Sequence, residues 1–323
     1  MREKVIVTHP IPAEGLKALS ERFDVIYPAR RAPFSHEELK AMLPDCDAVL
    51  ACGPMPRDLI EAAPRLRIIS NFGAGYDRVD VDAADECGVI VTNIPDVTAE
   101  STAELAFALM LNVRRRIPEL DALLRTDKPE NVFGMGKHMA HNLAGATLGI
   151  VGMGRIGRRL ADMARAFGMT ILYHNRTRLP EALERGARLC TLDELLSGSD
   201  VVSLNCPLTP ETRGLIGARE IALMKPGAII VNTSRGGTID YDALIAALET
   251  GRLAGAGLDV FPDEPHVPAR LLALRTTVLT PHVGTNTHEA RRAMAEACAE
   301  CIIDVLEGRT PKNIVNRSLK KKA

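Results

Sequence analysis

A glycine-rich segment, GMGRIG from Gly152 to Gly157, constrains the fold of this 323-residue chain more than any other feature. It directly follows the strand-like run LGIV and directly precedes RIGRRLADMARAF, whose apolar residues recur at helical spacing. In such a strand–turn–helix unit, the first glycine makes the tight turn and the second lets the backbone approach a pyrophosphate. The third allows the helix to pack closely on the strand. The sequence therefore predicts a Rossmann dinucleotide-binding unit, with phosphate at the helix N-terminus.

The residues that would recognise the cofactor's ribose follow the next predicted strand, TILYHN. An Asp or Glu about 20 residues after the glycine motif usually binds the ribose 2′-hydroxyl of NAD. Here the strand ends in Asn175, followed by Arg176, Thr177 and Arg178. A carboxylate would repel a 2′-phosphate, whereas a guanidinium binds it through charge-assisted hydrogen bonds. We therefore expect NADP(H) to be preferred and NAD(H) to remain possible. The alternative is that the two arginines are only a solvated pair at a strand end.

Strand-like and helical runs alternate in two series along the chain. The first extends from KVIVTHP to GVIVTNI and the second from ATLGIVG to TVLTPH. A long helical pattern follows each series, at residues 99–116 and at residues 287–306. Between residue 116 and Gly145 the sequence is punctuated by Pro and Gly. Such alternation indicates parallel sheets built from βαβ units. The predicted fold class is therefore α/β, with two doubly wound parallel-sheet domains.

Charge and composition exclude several classes of function. A net charge of −1 with interspersed signs provides no basic field for nucleic acid. The N-terminus lacks a signal-peptide core, and the longest apolar run, residues 105–111, falls well short of the ~20 residues of a membrane span. The seven cysteines occur in apolar contexts, which is typical of reduced, buried thiols. We therefore expect a cytoplasmic protein that acts on a small molecule, with no nucleic-acid, membrane or metal site.

Three polar segments lie at the carboxyl ends of later predicted strands, where open α/β sheets bind their ligands. They are NTSRGG with Arg235, LDVFPDEP with Glu264, and LTPHVGT with His282. A histidine there can donate a proton to a reacting oxygen, so His282 is a candidate general acid. A carboxylate at Glu264 would hold the ring in one tautomer and favour its protonated form. Arg235 offers a planar fork that can bind a carboxylate and polarise a carbonyl.

Together with NFGAGYDRVD (residues 71–80) and AESTAELA (residues 99–106), these segments resemble the D-isomer-specific 2-hydroxyacid dehydrogenases, especially their glyoxylate/hydroxypyruvate reductase branch. The resemblance covers nearly the whole chain. It implies that Arg235, Glu264 and His282 are catalytic, and that Ala74, Gly75 and Arg235 bind the substrate. The cofactor contacts expected from the motif and the resemblance are Thr102, Gly152, Gly154, Arg155, Ile156, Gly157, Asn175, Arg176, Thr177, Arg178, Cys206, Pro207, Thr233, Ser234, Asp259, His282 and Gly284. Asp259 is expected to bind the nicotinamide carboxamide.

The resemblance also implies an architecture. A discontinuous, flavodoxin-like substrate domain of residues 1–98 and 287–323 would surround a Rossmann domain of residues 99–286, and the protein would be a homodimer through the Rossmann domain. Closure of the cleft would exclude water from the reaction. The chain departs from the family in one respect. Relatives often carry a tryptophan in the loop before the Rossmann domain, whereas this chain has no Trp and places Phe133, Met135 and Met139 there.

The expected function is NADPH-dependent reduction of glyoxylate and hydroxypyruvate to glycolate and D-glycerate. One alternative is an NAD-dependent D-2-hydroxyacid or D-3-phosphoglycerate dehydrogenase, although phosphoglycerate dehydrogenases usually keep the acidic NAD-binding residue that is missing here. Formate dehydrogenases are expected to pair the catalytic His with Gln, so Glu264 argues against them. A dinucleotide-sensing corepressor can share this fold, and only turnover distinguishes it from an enzyme.

Overall fold

Parallel β-sheets organise both halves of the protein in a computed structural model, which describes residues 2–29, 31–126 and 128–320. The chain forms two compact units: unit 1 comprises residues 1–98 and 285–323, and unit 2 comprises residues 99–284. The outer ends of the predicted domain segments, residue 1 and residues 321–323, lie outside the described residues. Each unit carries a parallel sheet with core clusters on both faces, which confirms the predicted α/β class.

The strands are β1 (Lys4–Val7), β2 (Asp24–Ile26), β3 (Ala48–Ala51), β4 (Ile68–Asn71), β5 (Ile90–Thr92), β6 (Thr147–Val151), β7 (Thr170–His174), β8 (Arg188–Leu189), β9 (Val201–Leu204), β10 (Ile229–Asn232), β11 (Gly255–Leu258) and β12 (Thr277–Leu279). The helices are α1 (Lys17–Arg22), α2 (His36–Met42), α3 (Arg57–Glu61), α4 (Val81–Glu86), α5 (Ala99–Arg114), α6 (Ile117–Thr126), α7 (Pro129–Val132), α8 (Arg155–Ala166), α9 (Glu181–Glu184), α10 (Leu192–Gly198), α11 (Ala218–Leu223), α12 (Tyr241–Glu249), α13 (Ala269–Leu272), α14 (His288–Leu306) and α15 (Arg317–Lys320). Short 3₁₀ helices cover Ala13–Leu16, Leu43–Asp45 and Gly236–Thr238.

Unit 1 contains a five-stranded parallel sheet of order β2-β1-β3-β4-β5. Strands β1, β3 and β4 are almost fully buried because apolar cores cover both faces. Helix α14 covers one face, and helices α2, α3 and α4 contribute to the other core. From β1 the chain continues to β2 on one side of the sheet, whereas from β3 it continues to β4 and β5 on the other side. The carboxyl ends of β1 and β3 therefore form the topological switch point of this sheet.

Unit 2 contains a seven-stranded parallel sheet of order β12-β11-β10-β9-β6-β7-β8. Its switch point lies between β6 and β9, because β7 and β8 extend one side of the sheet and β10 to β12 the other. Helices α5 and α8 pack on one face, and α10, α11 and α12 contribute to the core on the other. None of the helices in the described ranges combines the length and apolar character needed to cross a membrane.

Local sequence signals account for the main helix boundaries. Thr287 caps α14 by accepting a hydrogen bond from the amide of Ala290, so this helix begins at His288, one residue after the predicted start. Helix α5 ends at Arg114, two residues earlier than predicted, because Arg116 adopts a left-handed backbone with φ of 56°. Helix α6 and the two-residue strand β8 were not predicted from the sequence. Pro118 is tolerated in α6 because it occupies the first turn, where its missing N–H has no helical acceptor.

Candidate active site

The glycine motif forms a tight loop between β6 and α8, at the switch point of unit 2. Gly152 has φ of 93°, and a Cβ there would lie 2.7 Å from the amide nitrogen of Cys206. A Cβ on Gly157 would lie 2.6 Å from the carbonyl oxygen of Gly152. Gly154 caps α8 and has no heavy atom within 4 Å of an added Cβ. The loop is thus closed where the first and third glycines pack and open at the second. This arrangement fits a pyrophosphate at the start of the helix.

Two buried oxygen atoms at the carboxyl edge of the same sheet support the same interpretation. Thr233 Oγ1 follows β10 and Asn205 Oδ1 follows β9, and neither has a hydrogen-bond partner within the part of the chain that the structure describes. A buried polar atom without a partner is costly, so such atoms often mark a ligand site. Cys206, the next residue after Asn205, is buried, and burial raises the pKa of its thiol to about 11. The thiol therefore stays neutral at physiological pH.

In the segment after β7, Arg176 and Arg178 have different surroundings, although the sequence predicts the same role for both. Arg176 and Thr177 are exposed, and Arg176 forms no ion pair with any described side chain. Arg178 instead donates from Nε to Glu184 Oε1 at 2.9 Å and from Nη2 to Glu184 Oε2 at 3.2 Å. Asn175 Oδ1 accepts a hydrogen bond of 2.7 Å from the amide of Met153 in the glycine loop. Asn175 therefore fastens the end of β7 to that loop, and only Arg176 keeps its charge unpaired.

Glu184 is the residue around which this segment is built, and sequence reasoning missed it. Its carboxylate is buried and also accepts a hydrogen bond of 2.5 Å from the hydroxyl of Tyr173. The hydroxyl of Tyr173 in turn accepts from the amide of Leu179 at 3.3 Å. Hydrogen bonds from Arg178 and then from Tyr173 hold the pKa of the Glu184 carboxyl below its ordinary value. The carboxylate therefore stays charged and fixes both ends of the loop that carries Arg176.

His282 and Glu264 lie together at the carboxyl edge of the unit 2 sheet, as the sequence predicts. His282 Nδ1 is 2.7 Å from Glu264 Oε2, and Glu264 Oε1 accepts from the amide of Phe261 at 3.0 Å. Both side chains are partly exposed, at 46% for the histidine and 34% for the glutamate. With Nδ1 engaged, Nε2 is the ring nitrogen that remains for a reacting atom. A cavity of about 370 Å³ adjoins the pair and has largely apolar walls, which include Phe261 and Leu279.

Asp259 holds the loop on which His282 stands. Its Oδ1 accepts from Thr280 Oγ1 at 2.6 Å and from the amide of Val283 at 2.8 Å, and its Oδ2 accepts from the amide of Gly284 at 2.9 Å. Its backbone carbonyl accepts from the amide of His282 at 2.9 Å. The side chain is 1% exposed. In the structure both carboxylate oxygens thus bind the loop, a role that the sequence analysis did not anticipate.

Arg235 and the remaining predicted cofactor residues lie in the same unit. Arg235 is half-buried before the 3₁₀ helix at Gly236–Thr238, and its Nη1 donates to the carbonyl of Ser234 at 2.9 Å. Ser234 caps its own turn by donating to Asn232 Oδ1. Gly284, Asp259 and Thr102 are in close proximity, since a Cβ on Gly284 would lie 3.2 Å from Asp259 Oδ2 and 3.4 Å from Thr102 Cγ2. Arg155 and Ile156 begin α8, and Pro207 is exposed after β9.

The predicted substrate contacts Ala74 and Gly75 belong to unit 1 and follow β4. Asn71 Nδ2 donates to the carbonyls of Gly73 and Gly75, and Asn93 Nδ2 donates to the carbonyl of Ala74 at 2.7 Å. The carbonyls of this loop are therefore held by side-chain amides. Within the described ranges, the backbone amides of Ala74 and Gly75 donate to no backbone carbonyl. They can therefore donate to an anion.

Comparisons with known proteins agree with this arrangement. The family profile described as D-isomer specific 2-hydroxyacid dehydrogenase, NAD binding domain, matches residues 107–284. A glyoxylate reductase from Thermococcus litoralis is 44% identical over an alignment of 326 positions, which covers 99% of this chain and 98% of the relative.

Solved structures extend the likeness to the whole chain. A glyoxylate reductase from Paecilomyes thermophila gives a TM-score of 0.88 at 36% identity, covering 98% of this chain and 99% of the other. An NADPH-dependent glyoxylate/hydroxypyruvate reductase from Sinorhizobium meliloti, in complex with NADP and malonate, gives a TM-score of 0.86 at 33% identity. This match covers 98% of this chain and 97% of the other. The expected relationship is confirmed, and unit 2 contains an NAD(P)-binding domain. The chain belongs to the D-isomer-specific 2-hydroxyacid dehydrogenase family and groups with its glyoxylate reductases.

Proposed function

We propose that this protein reduces glyoxylate and hydroxypyruvate to glycolate and D-glycerate with NADPH. The observation that carries the proposal is the contact of 2.7 Å between His282 Nδ1 and Glu264 Oε2, in a chain whose full-length relatives are named glyoxylate reductases. A corepressor would need no proton donor held in this way. In this proposal unit 1 is the substrate domain, which was expected to comprise residues 1–98 and 287–323. Unit 2 is the cofactor domain, which was expected to comprise residues 99–286.

The proposed chemistry assigns one role to each side chain. Reduced nicotinamide, when bound, supplies the hydride that reaches the carbonyl carbon. His282 holds a proton at Nε2 and transfers it to the carbonyl oxygen, which becomes the hydroxyl of the product. Glu264 orients the ring through Nδ1, and Arg235 binds the substrate carboxylate and stabilises charge on the oxygen. The amides of Ala74 and Gly75 are proposed as further contacts of the substrate carboxylate.

The preference for NADPH rests on Arg176. It is exposed, it follows the end of β7, and it has no ion pair in the described part of the chain. The guanidinium of Arg178 forms an ion pair with Glu184, so we assign the 2′-phosphate to Arg176 rather than to both arginines. Thr233, Asn205 and the glycine loop would hold the rest of the cofactor, because they provide unpartnered oxygens and an open phosphate position.

The substrate range is tested by steady-state kcat/KM for glyoxylate, hydroxypyruvate, pyruvate, 2-oxobutyrate and phenylpyruvate, each with NADPH and with NADH. We expect glyoxylate and hydroxypyruvate to lead. A site that hydrogen-bonds the substrate hydroxyl rejects pyruvate strongly, whereas an apolar wall discriminates only ~10- to 200-fold. A lead of tenfold or more for phenylpyruvate or 2-oxobutyrate would reject the substrate assignment. L-glycerate as the product would reject the geometry proposed for Arg235 and His282.

We also propose that the protein is a cytoplasmic homodimer joined through unit 2. Large apolar side chains are exposed in one segment of that unit: Ile117, Leu124, Phe133, Met135 and Met139. Apolar patches of this kind usually mark interaction surfaces. The seven cysteines carry free thiols, which suits a reducing compartment.

A further inference from the structure

Unit 1 has its own cavity, at the switch point of its sheet. The cavity has a volume of about 650 Å³ and is lined by residues that follow β1, by Cys52 after β3, and by the start of α14. Ligands of open α/β sheets bind in the crevice outside the carboxyl ends of the strands, where the strand order reverses. In the order β2-β1-β3-β4-β5, that position is the crevice between β1 and β3.

A half-buried arginine, Arg291, lines this cavity. Its guanidinium lies 5.7 Å from the centroid of the Phe72 ring, and no carboxylate in the described residues is within ion-pair distance of it. Burying a charged group costs free energy unless the group is paired, so such an arginine favours an anionic ligand. The neighbouring Arg292 differs in both respects, because it is exposed and pairs with Glu296 at 2.9 Å.

A histidine faces the same cavity in a fixed orientation. His9 Nδ1 is 2.9 Å from Thr8 Oγ1, and a Cβ on Gly53 would lie only 2.7 Å from His9 Cε1. Thr8 Oγ1 accepts from the amide of Cys52, so its own hydrogen can be donated to His9. A neutral ring that accepts at Nδ1 carries its proton on Nε2, which is then available as a donor to a ligand.

The other cavity residues add no negative charge. No Asp or Glu is among the described residues that line it. Burial raises the pKa of the Cys52 thiol to about 12, so this group stays neutral. His288 and Thr287, at the start of α14, add further polar side chains to the wall. The lining thus combines one unpaired cation with neutral hydrogen-bonding groups.

We propose that this cavity binds a small anion, the carboxylate or phosphate group of an organic acid, with Arg291 as its main contact and His9 as the second. A guanidinium can bind either group through two parallel hydrogen bonds. The residues that line this cavity do not include Ala74 and Gly75, whose amides are proposed for the substrate carboxylate. The inference does not depend on the proposed reaction, because binding is measured without turnover.

Calorimetric titration of the full chain with inorganic phosphate, and separately with malonate, tests the proposal at constant ionic strength. We expect saturable binding in the parent and in the matched control Arg292→Met, with the same number of sites in both. The Arg291→Met variant should bind at least roughly tenfold more weakly, because it loses a charge-assisted contact. Absence of saturable binding to the parent, or equal binding by Arg291→Met, would overturn the proposal.

A second variant covers the case in which Arg291→Met fails to fold, as judged by circular dichroism. Arg291→Lys keeps the charge but loses the planar fork, so it should fold and bind more weakly than the parent. Equal binding by this folded variant and the parent would remove Arg291 as the main contact.

Inhibition kinetics identify the source of the anionic group. Phosphate that competes with glyoxylate in the parent but not in Arg291→Met indicates that the cavity contributes to substrate binding. Phosphate that changes kcat without competing indicates a separate effector. An Arg291→Met enzyme that responds to phosphate as the parent does would contradict both.

Discussion

His282 adopts a backbone conformation that few histidines adopt. Its φ is 52°, in the left-handed region, and its amide donates to the carbonyls of Asp259 and Thr280. Strain of this kind costs about 1–3 kcal/mol and persists only where the surroundings impose it. The loop imposes it here because Asp259 also binds the residues on both sides of the histidine. The ring is therefore placed by the backbone before any substrate arrives.

Replacing His282 by Ala should reduce kcat by at least ~100-fold, because general acid catalysis contributes roughly 10²–10⁴. The dissociation constant of NADPH, measured by its fluorescence, should change little. His266→Ala is the matched control, since this exposed histidine lies in the nearby turn after Asp263. A His282→Ala enzyme within tenfold of the parent would remove His282 as the proton donor.

Glu264→Gln tests the orienting contact. The carboxylate accepts from the amide of Phe261 with one oxygen and contacts His282 with the other, and an amide has only one oxygen for these two positions. The amide can keep both positions only by donating from its nitrogen to Nδ1 of a neutral ring, so the contact to a charged group is lost, and such a contact is worth roughly 1.5–3 kcal/mol. We therefore expect kcat to fall by about tenfold or more with KM for NADPH unchanged. A variant that keeps the parental kcat would show that Glu264 is only structural.

Arg176→Ala tests cofactor selection. Loss of a charge-assisted contact should lower kcat/KM for NADPH by about tenfold or more and leave NADH unaffected. The measured dissociation constant of 2′,5′-ADP should rise in parallel. Arg178→Ala is the comparison, because Arg178 is paired with Glu184 and should affect the fold of the loop rather than the phosphate. Equal losses with both cofactors in Arg176→Ala would contradict the assignment.

Among the elements, those with a strong local signal could be predicted from the sequence. Strand β6, the glycine loop and α8 followed from the spacing of Gly152, Gly154 and Gly157, and α14 followed from its helical pattern. Contacts between separated loops could not be predicted. The sequence shows Arg178 only as a cation after a strand, and the folded chain brings it against Glu184 at the end of α9.

The link from β7 to α9 predicts a pH-dependent stability. The pKa of Glu184 is lowered in the folded state by Arg178 and Tyr173. Its contribution to the free energy of unfolding is therefore fully present above the ordinary value of 4.5 and is lost as the pH falls through the lowered folded-state value. Urea unfolding should show Glu184→Gln less stable than the parent at neutral pH, with the difference shrinking in acid.

A matched control for this measurement is Glu181→Gln, in the same helix but exposed. It should follow the parent at every pH. A difference between Glu184→Gln and the parent that stays constant down to about pH 3 would show that the charge of Glu184 contributes nothing.

At the scale of the whole molecule, the residues proposed to bind ligands lie at the carboxyl edge of the parallel sheet in each unit. In unit 2 these are the glycine loop and His282, and in unit 1 they are the loop at Ala74 and the cavity at Arg291. This recurrence follows from the fold, because the strands of a parallel sheet all end at the same edge and open α/β sheets bind their ligands there. It also explains why the site residues are widely separated in the sequence.

The last prediction concerns assembly. Phe133 is 71% exposed and Met139 74%, in a segment that a monomer would leave in water. Light scattering of the purified chain should give twice the chain mass at micromolar concentration, because burying such a patch favours association. Phe133→Ser with Met139→Ser should shift the protein to monomer with unchanged circular dichroism. Tyr76→Ser, a 41% exposed aromatic in unit 1, should remain dimeric. A monomeric parent, or a double variant that stays dimeric, would reject this segment as the interface.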